Sequence, residues 1–243
     1  AGHVPGARLI TMADVSASRD VRPALELLDD AGLRQQLESL GIGDNSRIVV
    51  IPGADWISPA TRIVWTLHVA GLGNRTRVLD GGSGAWKRAG LPTTQDAPPA
   101  ATRGRLTLKQ DRSLIVDHAW IQSQKQGPSF RLIDARDPVF FEGPGMKDAQ
   151  HEVKAGHIPG ARSFPFGTVT NDSLLFLPAS ELRAKFAALG VQRGDTVVGY
   201  CHIGQQATAM LFAARLAGFA TKLYDGSFTD WETRKLPIEN NRK

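Results

Sequence analysis

The chain has 243 residues, 42% of them hydrophobic and 22% charged, with 25 Gly and 14 Pro, a balance that fits a globular protein and excludes fibrous and disordered classes. Its net charge of +5 comes from scattered basic residues with one small knot at Arg234, Lys235, Arg242 and Lys243; without a basic stripe interleaved with aromatics, no nucleic-acid partner is expected. No apolar run reaches the roughly 20 residues of a membrane helix, so no membrane span is expected, and the single cysteine, Cys201, leaves no internal disulfide and no multi-cysteine metal site.

Along the chain, the first segment with a recognisable pattern is "AGHVPGAR" at residues 1–8, and it returns as "AGHIPGAR" at 155–162. The apolar run at 48–51 lacks alternation, as a strand buried on both faces of a parallel sheet does. Residues 59–73, "PATRIVWTLHVAGLG", are answered by "QATAMLFAARLAGFA" at 206–220, and "LDGGSGAWKRAGLP" at 79–92 by "YDGSFTDWETRKLP" at 224–237. The second pairing sets Asp80, Trp86 and Pro92 opposite Asp225, Trp231 and Pro237. A repeat this long, with its order kept, is a duplicated domain and not a solenoid unit. Residues 93–104, rich in Pro, Ala and Thr, lack apolar periodicity and suit a linker. The expected organisation is a first domain over 1–93, a linker over 94–112 and a second domain over 113–243.

In the second copy, "FRLIDAR" (130–136) and "DTVVGY" (195–200) have the composition of strands. Residues 178–190 form a helical pattern closed by Gly190, and 204–219 a second one. Strands alternating with helices give an α/β domain, a parallel sheet with helices on both faces. The first copy opens directly on its "AGHVPGAR", without a counterpart to "RLIDAR"; since an unpaired sheet edge is costly, an upstream segment supplying that strand is expected in the natural protein.

The stretch "VVGYCHIGQQATA" runs from strand to loop to helix, and ligand sites in parallel sheets lie at such carboxyl ends. Cys201 is therefore expected in a crevice at the foot of a helix, where unpaired N–H groups and the helix dipole favour a thiolate. A core cysteine would sit within the apolar run, not at its end. Gly204 allows a positive φ and a small cradle of amides. His202 could supply a donor or a charge, while Gln205 and Gln206 fall in the helix's first turn.

Together these segments resemble the tandem rhodanese-like sulfurtransferases: the paired "GHVPGA" and "GHIPGA", the strand "LIDAR", the loop "CHIGQQA" and the paired "DGG…W" and "DGS…W" segments cover essentially the whole chain. The resemblance implies two rhodanese-like domains, each a parallel β-sheet flanked by helices, with the active cysteine in the second alone. The first copy has "VVIPGADWISPAT" in the corresponding place, with Gly53 or Ala54 near the cysteine's position and Ser58 without an evident base, and reads as non-catalytic. The implied reaction is covalent: Cys201 takes the outer sulfur of a donor as a persulfide and passes it to cyanide or a thiol, the loop residues His202, Ile203, Gly204, Gln205, Gln206 and Ala207 binding substrate, with no metal and no cofactor. The six-residue loop from Cys201 to Gln206 resembles sulfur-transferring members and not the related phosphatases.

The family often places an arginine six residues beyond the strand aspartate, and here that position is Phe140. Arg136 resembles a structural arginine paired with Asp134 or a carbonyl, His157 a structural turn residue, and Asp225 and Trp231 scaffold. Thiosulfate is the expected donor. The alternatives are 3-mercaptopyruvate as donor, and a persulfide carrier or sulfur-sensing module that hands sulfur to a partner protein. The compartment, cytoplasmic or periplasmic, is left open by the sequence.

Overall fold

The computed structural model describes residues 2–17, 26–124, 129–142, 146–147, 152–153 and 155–240; Arg242 and Lys243 of the basic knot lie outside these. The chain divides into two compact units: Ala1–Ser18, Leu27–Arg112 and Thr170–Phe176 make unit 1, and Arg19–Glu26, Ser113–Val169 and Leu177–Lys243 make unit 2.

In unit 1, a 3-10 turn at Met12–Asp14 precedes helix α1 (Asp30–Ser39), whose start is capped by Asp29 accepting from the Gly32 N–H at 2.7 Å. Strand β1 (Ile48–Val50) leads to α2 (Ser58–Val69), and β2 (Thr76–Val78) to α3 (Gly82–Arg88). β1 and β2 are parallel, with Val50 opposite Val78. The stretch read as a linker does not hang free. Thr94 pairs with His3, the Leu106 N–H donates to Glu38, and Thr107 to Asp44 through both its N–H and its hydroxyl, so sparse apolar periodicity reflects bonding through backbone and carboxylates. Arg103 adds a 3.0 Å ion pair to Glu38.

Unit 2 runs β3 (Ile115–Val116), α4 (His118–Ser123), β4 (Phe130–Asp134), α5 (Pro138–Phe141), β5 (Met146–Lys147), β6 (Glu152–Val153), β7 (Arg162–Ser163), α6 (Ala179–Ala188), β8 (Thr196–Tyr200), α7 (Ala207–Leu216), β9 (Ala220–Tyr224) and α8 (Ser227–Thr233). Its main sheet has the order β3-β9-β8-β4-β7, every pairing parallel, while β5 and β6 form an antiparallel pair of their own.

β8, the middle strand, shows why the layers form. Side chains alternate between sheet faces. Val198 and Tyr200 join Leu132, Tyr224, Phe228 and Trp231 in one buried cluster. Val197 is also buried, and a Cβ on Gly199 would meet Met210 and Leu211 of α7 at under 3 Å, so the opposite face is closed by α7, packed in turn on α6. With both faces covered, β8 has no room for polar alternation.

The duplication is structural as well as sequential. His3 bridges Thr94 as His157 bridges Glu239. The indole N–H of Trp86 donates to the Pro92 carbonyl at 2.8 Å, and that of Trp231 to Pro237 at 2.8 Å. Gly6 and Gly160, at φ +77° and +78°, turn the two PGAR corners in the left-handed region that glycine takes without cost.

Candidate active site

Tyr200 ends β8 on the buried face, and its hydroxyl accepts from the Ile158 N–H at 3.1 Å. The next residue, Cys201, leaves the sheet at the carboxyl end of the middle strand. Its neighbour across the ladder is β4: Asp134 stands opposite Tyr200, and the Ala135 N–H donates to the Tyr200 carbonyl at 2.9 Å. Asp134 and Arg136 are thereby brought to the same end of the sheet as the cysteine.

Cys201 is 0% exposed, which corrects the expectation of a thiol presented openly in a crevice. The reason lies in α8. The Phe228 N–H donates to the Cys201 carbonyl and the Thr229 N–H to the His202 carbonyl, each at 3.0 Å, drawing the loop against the helix start. A trans peptide sets its N–H opposite its C=O. With these two carbonyls held by α8, the N–H groups of His202 and Ile203 face the other way. Gly204 then takes φ +78°, Gln205 accepts from the Thr208 hydroxyl at 2.6 Å, and α7 begins at Ala207 with Gln206 as an N-cap that makes no side-chain cap bond.

The expected site residues are therefore contiguous in space. His202, Ile203 and Gln206 are half-buried, and Gly204, Gln205 and Ala207 buried. Gln205, read from sequence as a first-turn residue, is 4% exposed: its place in the tight turn before α7 folds it inward.

Arg136 is fully buried and makes a 2.6 Å ion pair with Asp134, with a second 2.6 Å bond to the Gly156 carbonyl. Its guanidinium stacks 3.9 Å from the centroid of Phe228. Burial pulls its pKa down, but Asp134 outweighs burial and raises it, and a Cys201 thiolate acts on it in the same direction. Arg136 is thus a buried, paired positive charge, bonded to both Asp134 and a carbonyl. Burial first, and Asp134 next, push the Tyr200 hydroxyl well above its usual pKa.

Phe140 sets its ring edge-on to His202, centroids 4.6 Å apart and planes at 89°. Burial, and then the charge of Arg136, pull the His202 pKa down to about 4, so this imidazole is neutral at physiological pH. His157 stacks on Phe141 at 3.8 Å and its Nδ1 lies 3.1 Å from the Phe141 carbonyl; it holds the turn. Among the described residues, no group of three or more His, Cys, Asp or Glu side chains is placed to hold a metal ion.

In unit 1 the corresponding position is Pro52, not Gly53 or Ala54. Val50 is opposite Val78 as Gly199 is opposite Leu223, and the Ser83 N–H donates to the Pro52 carbonyl as that of Phe228 does to Cys201. Matching "VV" to "VV" in sequence misplaces the loop by one residue because register, not identity, sets the position. Sequence reasoning also missed Ser227, the Cys201 N–H acceptor at 3.2 Å. A signal was present in the repeat, where Ser227 answers Gly82.

A doubly covered parallel sheet with one cysteine at the end of its middle strand, in a loop whose carbonyls are tied down, defines a class of α/β proteins built around a loop of backbone amides. The family is specific: the profile of the rhodanese-like domain matches residues 1–89 and 117–234, and the chain belongs to that family. It is 36% identical over 239 residues to a Pseudomonas aeruginosa protein named "Probable 3-mercaptopyruvate sulfurtransferase", covering 95% of this chain and 81% of the relative. It is 30% identical over 241 residues to the "Thiosulfate sulfurtransferase" of Bos taurus, covering 97% and 79%. Among solved structures it is similar in fold to YnjE, with a TM-score of 0.87 at 23% identity, over 100% of this chain and 59% of that one; the chain thus spans about three fifths of that structure.

Proposed function

We propose that the protein is a sulfurtransferase that moves a sulfane sulfur through a Cys201 persulfide, with thiosulfate as donor. The observation that carries this is the site of Cys201: it follows the middle strand directly, and its loop has carbonyls bound to α8 and N–H groups turned away. Such a loop suits a sulfur anion, since oriented amides in a water-poor site stabilise negative charge without reorganising.

The reaction divides into two displacements. The Cys201 thiolate attacks the outer sulfur of thiosulfate; a sulfur–sulfur bond to the enzyme forms as the donor's own breaks, and sulfite leaves with the electron pair. Cyanide then attacks the outer sulfur of the persulfide, forming thiocyanate and returning the thiolate. A thiol acceptor would take the sulfur in the same way. Ping-pong kinetics are expected. Arg136 supplies a positive charge to the thiolate, while neutral His202 and Phe140 present aromatic surface beside the loop.

A second reading, 3-mercaptopyruvate as donor, is favoured by the 36% identical relative that carries that name. Thiocyanate release from the two donors, measured on one preparation, separates them: kcat/KM larger for mercaptopyruvate would replace the thiosulfate reading. For either donor, Cys201→Ser is expected to abolish turnover and the mass gain of one sulfur atom after donor treatment. Full activity in that variant would overturn the nucleophile.

A further inference from the structure

The corner where β9 turns into α8 in unit 2 has its counterpart where β2 turns into α3 in unit 1, and the two differ both at the residue that follows the loop strand and at the one that opens the helix. In unit 1 these are Pro52 and Gly82; in unit 2, Cys201 and Ser227. Gly82 has φ +54°, and a Cβ there would lie 2.5 Å from the Pro52 carbonyl oxygen. Ser227 has φ +56°, the same left-handed backbone in a residue that pays strain for it. Proline has no N–H, so the first corner needs no acceptor. Cysteine has one, and it donates to Ser227 Oγ at 3.2 Å while the Ser227 hydroxyl donates to the Tyr224 carbonyl at 2.9 Å. Ser227 is 0% exposed, so water does not substitute for it.

We infer that Ser227 is a positioning residue for the reaction: its hydroxyl holds the peptide from which the Cys201 side chain projects, and this bond is why a serine occupies a conformation suited to glycine. With the N–H held by Ser227 and the carbonyl by Phe228, both backbone polar groups of Cys201 are fixed by the α8 corner. The direction in which the Cys201 side chain leaves the backbone is thereby fixed relative to the loop amides. This rests on Cys201 being the nucleophile, but its test does not depend on turnover.

Because Cys201 is the only cysteine, alkylation of the full chain by iodoacetamide reports on that thiol alone. In Ser227→Gly, the backbone strain is relieved while the hydroxyl is lost. The thermal midpoint is expected to hold or fall only slightly. The alkylation rate at neutral pH is expected to drop about tenfold, the loss of one oriented bond. Ser227→Ala, which keeps the strain, is expected to show the same change in reactivity with a lower thermal midpoint than Ser227→Gly. A Ser227→Gly profile that overlays the wild type overturns the inference, and so does a glycine variant less stable than the alanine one. Loss of sulfur transfer in Cys201→Ser with an unchanged Ser227→Gly profile would leave the nucleophile standing and remove only the positioning role.

Discussion

His202 shows how one residue's surroundings change what its type suggests. An imidazole beside a reactive cysteine reads as a switchable charge, yet burial and Arg136 hold it neutral down to about pH 4. The unfolded chain takes up a proton near the ordinary value of 6.5 and the folded one only near 4, so this stabilising contribution is present above pH 6.5 and is lost as pH falls toward 4. The full difference corresponds to about 3 kcal/mol. Urea unfolding at a series of pH values across that window is expected to show the slope, and His202→Asn to flatten it. Arg136 is the opposite case, a buried charge that is paired. Arg136→Met leaves the Asp134 carboxylate alone in the core and is expected to cost about 3–5 kcal/mol by denaturant unfolding, more than replacing both members together. The pairing of Asp134 with Arg136 was legible from "LIDAR"; the neutrality of His202 was not, because the ring's burial and its contact with Phe140 come from an element more than 60 residues away.

At the scale of elements, the site depends on how closely α7 approaches β8 and how α8 meets the loop. Gly199 is the contact that decides the first: Gly199→Val would drive its side chain into Met210 and Leu211, and is expected to destabilise by about 1–3 kcal/mol as overpacking does, with activity falling further than stability because Cys201 is two residues on. The α8 corner decides the second. Its unit 1 counterpart gives a control on backbone strain, since Gly82→Ala meets the Pro52 carbonyl at 2.5 Å from a left-handed backbone and is expected to cost about 2 kcal/mol or more in a thermal melt. β8, α6 and α7 were readable because their apolar patterns have the period of one element. The α8 corner was not, since its bonds join residues 26 apart, and no local pattern records a bond between a loop and the start of a later helix.

For the whole molecule, duplication without equivalence is the governing fact. Both repeats keep the tryptophan-to-proline bond and the histidine bridge, while only the second puts a cysteine, with its N–H and its serine partner, at the end of the loop strand. Restoring a thiol to unit 1 should therefore not restore function. The double variant Pro52→Cys, Cys201→Ser is expected to release thiocyanate at no more than about a tenth of the wild-type rate, because Gly82 offers no hydroxyl to the new N–H. Wild-type activity in that variant would mean that the thiol alone suffices.

The sequence by itself determined the duplication, the α/β class, the family resemblance and the cysteine loop, because each is written in local composition or in order along the chain. Only the tertiary structure decided that Cys201 is buried, that Pro52 is its counterpart, and that Ser227 holds its backbone. Those three depend on strand register and on hydrogen bonds between segments far apart in the chain, and such pairings are set by packing.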